Sequence, residues 1–449
     1  MTEIENYVAL LAETAAEEPD EAELAAVFRC LVDTIGCGIA GAEEAAVHRL
    51  RGGGLDSGEA AVFGSAAGLA PQDAVVVNGT ATRIHDFNDT FSERNNSHPS
   101  EHVIPLSLAI AGRKRWTGEE FLRAVAVGYR MFVTSAQCWE GLLARGWAPS
   151  ATIGAVAGAA YLAWLEGLSA EQTAHAVAIA TVSAPTLGGV FRGQISDLKS
   201  MVNGLSSRTA WSAVQFAKAG VTGPLDVFEA AAGWDEMIGG AYGTPAGGGN
   251  TAARVTLKLY PTVFTVHSCL SAATELAGER GLRASELAEL TVVAPPKVAA
   301  VAAAESRWRV ESREAAQFSL PWLVATALRF GRCGLAEIDA AVGGDPEVAA
   351  LVELMTVGSD AQWPGYFGGR VEVRLADGET RVAEAALPPG HPDRPLTDDQ
   401  LWDKFRGLVA LARGAAEAEL IEEAVRGLRT APDLTKLLAA CRGAQGGLR

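Results

Sequence analysis

A long helical pattern runs through the stretch Asp20-Glu-Ala-Glu-Leu-Ala-Ala-Val-Phe-Arg-Cys-Leu-Val-Asp-Thr-Ile-Gly-Cys-Gly-Ile-Ala-Gly41. Its large apolar side chains recur three or four residues apart, which is the period of one face of an α-helix. They are Leu24, Val27, Phe28, Leu31, Val32 and Ile35. Asp20 precedes this run, where its carboxylate can accept a hydrogen bond from a first-turn N–H. The pattern predicts a helix from residue 20 to residue 41.

Similar helical signals continue through the first half of the chain. Thr117-Gly-Glu-Glu120 and Ser169-Ala-Glu-Gln172 are capping boxes, each in front of an apolar segment. Abundant alanine and glycine would let the helices approach one another closely. The Ala-rich segments with helical spacing are 151–165, 173–184 and 203–219. These signals predict a mainly α fold with a large all-helical domain that begins with residues 1–257.

The glycine-rich stretch 239–250 interrupts this pattern. It lacks the Gly-x-x-x-x-Gly-Lys-[Ser/Thr] signature of a phosphate-binding loop, so we interpret it as a flexible connector. Beyond it, Leu290–Val293 and Val371–Leu375 have the composition of strands, and Asp377-Gly378 is a hairpin signal. We predict a smaller α+β lid domain over 258–392. Helical spacing returns from Thr397, so the last part of the chain, residues 393–449, is expected to be helical.

Composition excludes several classes of partner. The 449 residues carry a formal net charge of −17, whereas nucleic acids and anionic membranes are bound by basic surfaces. The six cysteines are scattered without metal-binding spacing, and the acidic N-terminus lacks a signal-peptide profile. The longest apolar run, about Ala151–Leu165, is too short to span a bilayer. We therefore expect a cytoplasmic protein that binds neither nucleic acid nor membrane.

Acid, base and hydrogen-bonding groups concentrate in two neighbouring segments, Asn78-Gly-Thr-Ala-Thr-Arg-Ile-His-Asp-Phe-Asn-Asp-Thr90 and Ser97-His-Pro-Ser-Glu-His-Val-Ile-Pro105. Pro99 suits the first residue of a helix, which would put His98 at or near the N-cap. The positive end of the helix dipole favours a neutral imidazole there, available as a base. The side chains of interest are His85, Asp86, Asp89, His98 and His102.

These segments resemble the signature of the MmgE/PrpD family, which includes 2-methylcitrate dehydratase, cis-aconitate decarboxylase and iminodisuccinate epimerase. Further matching pieces occur in the same order along nearly the whole chain. They are Asp33–Gly41, Pro149–Gly154, Ser196–Lys199 with Asn203-Gly204, Lys258–Pro261 with His267, and Gly390–Pro395 followed by Lys404-Phe405. The resemblance implies a homodimer with a smaller α+β lid domain and a helical domain in which residues 393–449 rejoin residues 1–257. It also implies a reaction that needs no cofactor.

The resemblance also implies the chemistry. The family moves a proton at a carbon next to a carboxylate or carbonyl of a small polycarboxylate, which requires an acid, a base and cations. Carried over by position, His98, Lys199 and Asp86 are the expected catalytic residues. His98 would be the base or acid, and Lys199 would anchor a carboxylate or donate a proton. The expected substrate-binding residues are Thr90, Lys258, His267, Arg192 and Trp322, and Arg83 and Arg94 are further candidate cations.

Each of these residues could instead have a structural or surface role. His98 could cap a helix, Asp86 could form a local turn, and Lys199 and Lys258 could be solvated surface lysines. The spacing His98-x-x-x-His102 occurs in metal sites, but Pro99 indicates that His98 lies at a helix end. We therefore predict no metal ligands, and the resemblance implies that no cofactor is needed.

Two positions depart from the family pattern. In Gly146-Trp-Ala-Pro149, Ala148 replaces a histidine that belongs to the family's active site, and Trp322 stands where tyrosine is common. Both changes remove an acid. We predict a lyase or isomerase that abstracts a proton from a small anionic substrate, followed by elimination or reprotonation. The alternatives are a decarboxylase of a cis-aconitate-like substrate and a ligand-binding pseudoenzyme.

Overall fold

The computed structural model describes residues 1–191, 195–238, 240, 242–243 and 251–443. Most of the glycine-rich stretch predicted as a connector lies outside the described residues. The described chain forms two compact units, and the fold is mainly helical, as predicted. The first unit contains Met1–Ile84, Asn88–Thr256 and the segment from Thr397 onward, and the second contains His85–Phe87 and Leu257–Leu396.

Helices form most of the first unit. The capping boxes predicted at Thr117 and Ser169 are confirmed, and each side-chain oxygen accepts a hydrogen bond from the backbone N–H three residues later. The helices and strands of the first unit up to residue 256 are α1 (Glu3–Ala16), α2 (Glu21–Gly41), α3 (Ala45–Arg51), β1 (Ser57–Val62), β2 (Ser65–Leu69), α4 (Pro71–Arg83), α5 (Ser100–Ala111), α6 (Gly118–Cys138), α7 (Pro149–Glu166), α8 (Ala170–Ser183), α9 (Leu198–Lys218) and α10 (Trp234–Ile238).

Helix α2 confirms the opening sequence prediction. The Asp20 side chain accepts a hydrogen bond from the Glu23 backbone N–H at 2.8 Å, as expected of an N-cap. By length and composition this is the one helix among the described residues that could cross a membrane. However, 78% of its most apolar 18-residue window is buried inside the protein, which is the pattern of a core helix.

Helix α4 lies in the middle of the first unit, packed against α2, α5 and α9. A Cβ atom at Gly204 of α9 would lie 2.7 Å from the Val76 carbonyl oxygen of α4, so only glycine permits this contact. Asn78 of α4 also holds an antiparallel hairpin formed by β1 and β2, since its side chain bonds the backbones of Phe63 and Ala61 at 2.9 Å each. The prediction of an all-helical first domain is therefore wrong at this hairpin, whose Ala- and Gly-rich strands carry little strand signal.

The second unit combines a four-stranded sheet with helices. The predicted strands at Leu290–Val293 and Val371–Leu375 and the hairpin at Asp377-Gly378 are confirmed. Strand order is β4-β3-β5-β6, with β3 and β4 parallel and the other pairs antiparallel. The elements are α11 (His267–Ala277), β3 (Leu287–Ala294), α12 (Pro296–Ala302), α13 (Arg313–Ala316), α14 (Leu320–Phe330), α15 (Leu335–Val342), α16 (Pro346–Leu354), β4 (Met355–Ser359), β5 (Arg370–Leu375) and β6 (Thr380–Glu384).

The C-terminal helices pack within the first unit. They are α17 (Asp398–Arg413), α18 (Ala415–Arg426) and α19 (Thr435–Cys441). Helix α17 packs along α2, and Lys404 forms a buried ion pair with Asp33 at 2.5 Å. Because an unpaired charge is costly in an apolar interior, this pair fixes the register of the two helices.

A pair of glycine substitutions tests the helix packing. A Cβ atom at Gly154 of α7 would lie 2.1 Å from the His102 ring of α5, so Gly154→Ala is expected to destabilise the protein by about 1–3 kcal/mol. A Cβ atom at Gly407 of α17 would have no neighbour within 4 Å, so Gly407→Ala is expected to stabilise by about 0.5–1 kcal/mol. Urea unfolding measures both, and effects of the same sign would contradict this packing.

Candidate active site

His98 lies directly in front of α5, inside the first unit. Pro99 is the N-cap of this helix rather than its first residue, so the predicted start is wrong by one position. The His98 backbone N–H donates to Ser150 Oγ at the start of α7, at 3.0 Å. The imidazole is therefore buried between the beginnings of two helices, where hydrogen bonds from both sides fix it.

Both ring nitrogens of His98 have protein partners. Nδ1 lies 2.7 Å from the backbone carbonyl oxygen of Asp89, and Nε2 lies 3.1 Å from Arg83 Nη1. A carbonyl oxygen only accepts and a guanidinium only donates, so Nδ1 carries the proton and Nε2 accepts. His98 is thus a neutral imidazole whose Nε2 lone pair points to the guanidinium of Arg83.

Glu101 supplies the negative charge beside this pair, and sequence reasoning missed it. Its fully buried carboxylate accepts hydrogen bonds from Asn88 Nδ2 at 2.8 Å and from Asn203 Nδ2. Arg83 Nη1 lies 3.5 Å from Glu101 Oε1. The available signal was an acidic residue three positions after His98 in an otherwise apolar helix. The centre built by Arg83, His98 and Glu101 is called the His98 centre below.

Asp89 anchors the carbonyl that orients His98. Its buried carboxylate accepts from Ser100 Oγ at 2.6 Å, from the Ser100 N–H at 3.2 Å and from the Tyr129 hydroxyl at 2.8 Å. Burial raises the pKa of Asp89 to about 7 despite these hydrogen bonds. The carboxyl therefore exchanges its proton near neutral pH, directly beside the segment that positions the imidazole.

This shift predicts a pH dependence of stability. Between pH 4 and pH 7 the native state keeps an Asp89 proton that the unfolded chain has lost, so wild-type stability falls as pH rises through that window. Asp89→Asn stays neutral; its Oδ1 can still accept from Ser100, and its Nδ2 can donate to the Tyr129 hydroxyl. Its stability relative to wild type should therefore rise by a few kcal/mol across the window, at about 1.4 kcal/mol per pKa unit. Urea unfolding at pH 5 and pH 8 measures this. A constant difference between the two proteins would contradict it.

Lys199 and Thr90 are also buried in the first unit. Lys199 lies in the first turn of α9 and is 1% exposed, so the alternative of a surface lysine is wrong. It precedes Asn203, the partner of Glu101, by four residues, so both lie on the same face of the helix. The Thr90 hydroxyl donates to Asn96 Oδ1 at 2.7 Å. Lys199 therefore shares its helix face with a residue that contacts the His98 centre, whereas the Thr90 hydroxyl donates to a neighbouring loop residue.

Asp86 and Lys258 form a second centre, within the second unit. Lys258 Nζ donates to Asp86 Oδ1 at 2.5 Å and to the Asp86 carbonyl oxygen at 3.0 Å, and both residues are buried. Lys258 is therefore not a surface lysine either. Asp86 has a φ of 50°, a left-handed conformation that is uncommon outside glycine. Gln317 Nε2 holds the neighbouring carbonyl oxygens of His85 and Pro261 at 2.7 and 2.9 Å.

The remaining predicted binding residues have different surroundings. His267 is fully buried at the start of α11, with its ring 5.2 Å from that of Tyr260. The indole N–H of Trp322 donates to the Trp308 carbonyl oxygen at 3.0 Å, so this donor is already in use. Arg192 lies outside the described residues. Ala148, which replaces the family's histidine, is a buried N-cap of α7 and packs beside Val202.

His102 has a structural role. Its Nδ1 lies 3.0 Å from Ser207 Oγ, and its ring stacks on Phe132 with centroids 5.2 Å apart. Burial lowers the pKa of His102 to about 3, so the ring stays neutral at physiological pH. Within the ranges that the structure describes, no three His, Cys, Asp or Glu side chains are grouped to hold a metal ion.

Comparisons with known proteins match both halves of the chain to models of one family. The model of the MmgE/PrpD N-terminal domain matches residues 4–244, and that of the MmgE/PrpD C-terminal domain matches residues 260–430. The first match contains the His98 centre and Asp86, and Lys258 lies two residues before the second match. The two matches together cover most of the chain.

Relatives with assigned names are distant but cover almost the full length. The cis-aconitate decarboxylase-like protein oryM of Aspergillus oryzae is 26% identical, over 92% of this chain and 92% of its own. A 2-methylcitrate dehydratase of Cupriavidus necator is 25% identical, over 85% and 84%. The cis-aconitate decarboxylase of Homo sapiens is 24% identical, over 92% and 89%. At this identity the chain is similar to both kinds of enzyme and close to neither.

Proposed function

Because the chain belongs to the MmgE/PrpD family, we propose that it is an enzyme acting on a small substrate that carries at least one carboxylate. The proposed reaction removes a proton from the carbon next to a carboxylate or carbonyl. Elimination of a neighbouring group or reprotonation of the carbon completes it, so the enzyme is a lyase or an isomerase. It uses no cofactor, because the base and the cations are side chains of this chain.

The tautomer of His98 is the observation that carries this proposal. With its proton on Nδ1 and donated to the Asp89 carbonyl oxygen, the imidazole has its lone pair on Nε2. A neutral, buried imidazole in this state is a proton acceptor, whereas a group that starts as a proton donor would be an imidazolium. The arrangement supports abstraction as the first step rather than donation.

Cations near this base support the same reaction. Removing a proton next to a carboxylate leaves its electron pair on an enediolate, whose charge needs a positive partner. Arg83 lies 3.1 Å from His98 Nε2, and buried Lys199 shares a helix face with Asn203, which donates to Glu101. The family resemblance assigns Asp86 and Lys258 to the active site as well. Their part in the reaction stays a prediction.

Decarboxylation is the second candidate, since two of the relatives described above carry cis-aconitate decarboxylase in their names. In that reaction the electrons come from a departing carboxylate, and the enzyme must protonate the carbon that lost it. A neutral His98 would first need a proton from solvent or another group. The His98 tautomer therefore favours the lyase or isomerase.

A substrate panel tests the proposal. The protein is incubated with di- and tricarboxylates, including 2-methylcitrate and cis-aconitate, in D2O and followed by NMR. Deuterium incorporation or elimination without loss of carbon supports the lyase or isomerase. Release of CO2 favours the decarboxylase, and no reaction across a broad panel favours a ligand-binding pseudoenzyme.

We also propose that the protein is a homodimer, on the family resemblance alone. Light scattering at micromolar concentration should give the mass of two chains. The mass of one chain would overturn this proposal.

A further inference from the structure

We propose that Arg83 is a carboxylate-binding residue that controls whether His98 can accept a proton. In the structure the Arg83 guanidinium donates to the Nε2 lone pair of His98. A carboxylate of the ligand draws the guanidinium to itself and frees Nε2. This inference rests on the proposed function, because it takes the neutral form of His98 to be the base.

The position of Arg83 carries the first step. Arg83 is the last residue of α4, and its side chain is 6% exposed. The same atom, Nη1, lies 3.1 Å from His98 Nε2 and 3.5 Å from Glu101 Oε1. A base whose lone pair already accepts a hydrogen bond from a guanidinium cannot take a proton from carbon until that bond is exchanged. The base is thus in place, and its lone pair accepts a hydrogen bond from Arg83.

The state of Glu101 carries the second step. Charged N–H···O hydrogen bonds are typically about 2.7–2.9 Å long, so the 3.5 Å separation between Arg83 and Glu101 is a loose contact. Each carboxylate oxygen of Glu101 already accepts an amide N–H, one from Asn88 and one from Asn203. Glu101 therefore compensates the charge of Arg83 through a contact that is longer than a typical charged hydrogen bond. A second carboxylate with free oxygens can form the shorter, bidentate contact that arginine favours.

The exchange couples binding to chemistry. A carboxylate bound to Arg83 brings the C–H bond beside it close to His98, and the same contact frees Nε2. The proton then moves from carbon to Nε2, giving an imidazolium, and the electron pair remains as an enediolate paired with Arg83. A molecule without a carboxylate would leave the base occupied. Arg83 thereby selects the class of substrate as well as stabilising the charge that develops.

Nitrogen NMR tests the exchange without requiring turnover. Protein labelled with 15N-histidine is titrated at fixed pH with tricarballylate, a tricarboxylate without a hydroxyl leaving group, and His98→Gln identifies the His98 signals. We expect the Nε2 resonance to move as its bond to Arg83 is lost, while Nδ1, bound to Asp89, changes little. Tricarballylate bound with Nε2 unmoved overturns the proposal, as does no binding of tricarballylate, malonate or acetate.

Matched variants separate the proposal from a structural role. Arg83→Met should weaken tricarballylate binding by about 10- to 100-fold, the value of a hydrogen bond to a charged group, and Arg83→Lys by less. Glu101→Gln should tighten binding several-fold, because it removes the competing negative charge. Glu23→Gln removes a buried carboxylate paired with Arg130 elsewhere in the unit, and should lower the Tm without changing affinity.

The sign of the Glu101 effect is decisive. A variant that only damages the fold would weaken binding and lower the Tm, as expected of a structural carboxylate. Weaker binding by Glu101→Gln, or unchanged binding by Arg83→Met, overturns the proposal. If these binding results hold while the substrate panel stays silent, Arg83 is a carboxylate-binding residue and the proposed reaction is what fails.

Discussion

Replacing His98 with glutamine is expected to lower kcat by about 10²- to 10⁴-fold, the usual contribution of a general acid or base. Glutamine fills much of the imidazole volume and can still donate to the Asp89 carbonyl oxygen, which His98 Nδ1 contacts at 2.7 Å. Its amide oxygen can accept from Arg83 in place of Nε2. The variant should therefore fold normally and lack only the group that takes the proton.

Kinetics with the substrate that the panel identifies, together with thermal unfolding, measure this effect. His175→Gln is the matched control, because His175 lies in α8 and contacts the Gly223 backbone. It should leave kcat and Tm nearly unchanged. Near-normal turnover by His98→Gln would mean that the imidazole has a structural role and that the base is a different residue.

Lys258→Met is expected to destabilise the protein by about 3–5 kcal/mol, because it leaves the buried carboxylate of Asp86 without its cation. The two side chains are 1% and 2% exposed and lie 2.5 Å apart. Lys258 Nζ also bonds the Asp86 carbonyl oxygen and so helps to hold the left-handed backbone of that residue. The substitution removes both contacts together.

The double variant Asp86→Asn with Lys258→Met separates stability from function. It removes the buried charge of Asp86 as well as that of Lys258. It should therefore recover much of the lost stability in urea unfolding, while activity stays low. Arg313→Met breaks a more exposed pair with Asp339 in the same unit and should cost less than about 1 kcal/mol. A double variant as unstable as Lys258→Met, or Lys258→Met as stable as Arg313→Met, would contradict this account of the pair.

Much of the helical and strand structure could be predicted from local sequence. Asp20, Thr117 and Ser169 each begin a helix because a side-chain oxygen satisfies a first-turn N–H, and this signal is complete within four residues. The hairpin signal at Asp377-Gly378 is also local, because a tight hairpin turn needs a residue with positive φ and glycine adopts it readily. Gly378 has a φ of 91°. Strand β4 was missed because its parallel pairing with β3 joins segments more than 60 residues apart.

The candidate site could be predicted in part. The histidines, aspartates and lysines were found because resemblance marked their segments, but their hydrogen-bond partners depend on packing between distant elements. Glu101 and Asn203 are 102 residues apart, and only the packing of α9 within the first unit brings them together. Likewise, no local pattern indicates that His85–Phe87 group with the second unit while both neighbouring segments belong to the first.

Trp322 illustrates the limits of reasoning by position. Its place in the family pattern made it an expected substrate-binding residue. In the structure its indole N–H donates to the Trp308 carbonyl oxygen, 14 residues earlier in the chain. A tyrosine hydroxyl and an indole N–H extend differently from the helix, so the same position need not present the same donor to a ligand.

Deuterium exchange into bound substrate tests the central claim most directly, since it follows the proton that His98 is proposed to remove. Wild-type protein and His98→Gln are incubated in D2O with the reacting carboxylate, and NMR records deuterium at the carbon next to the carboxylate. The account predicts exchange by the wild type and a rate lower by about 10²- to 10⁴-fold in His98→Gln. Equal exchange rates in the two proteins would contradict it.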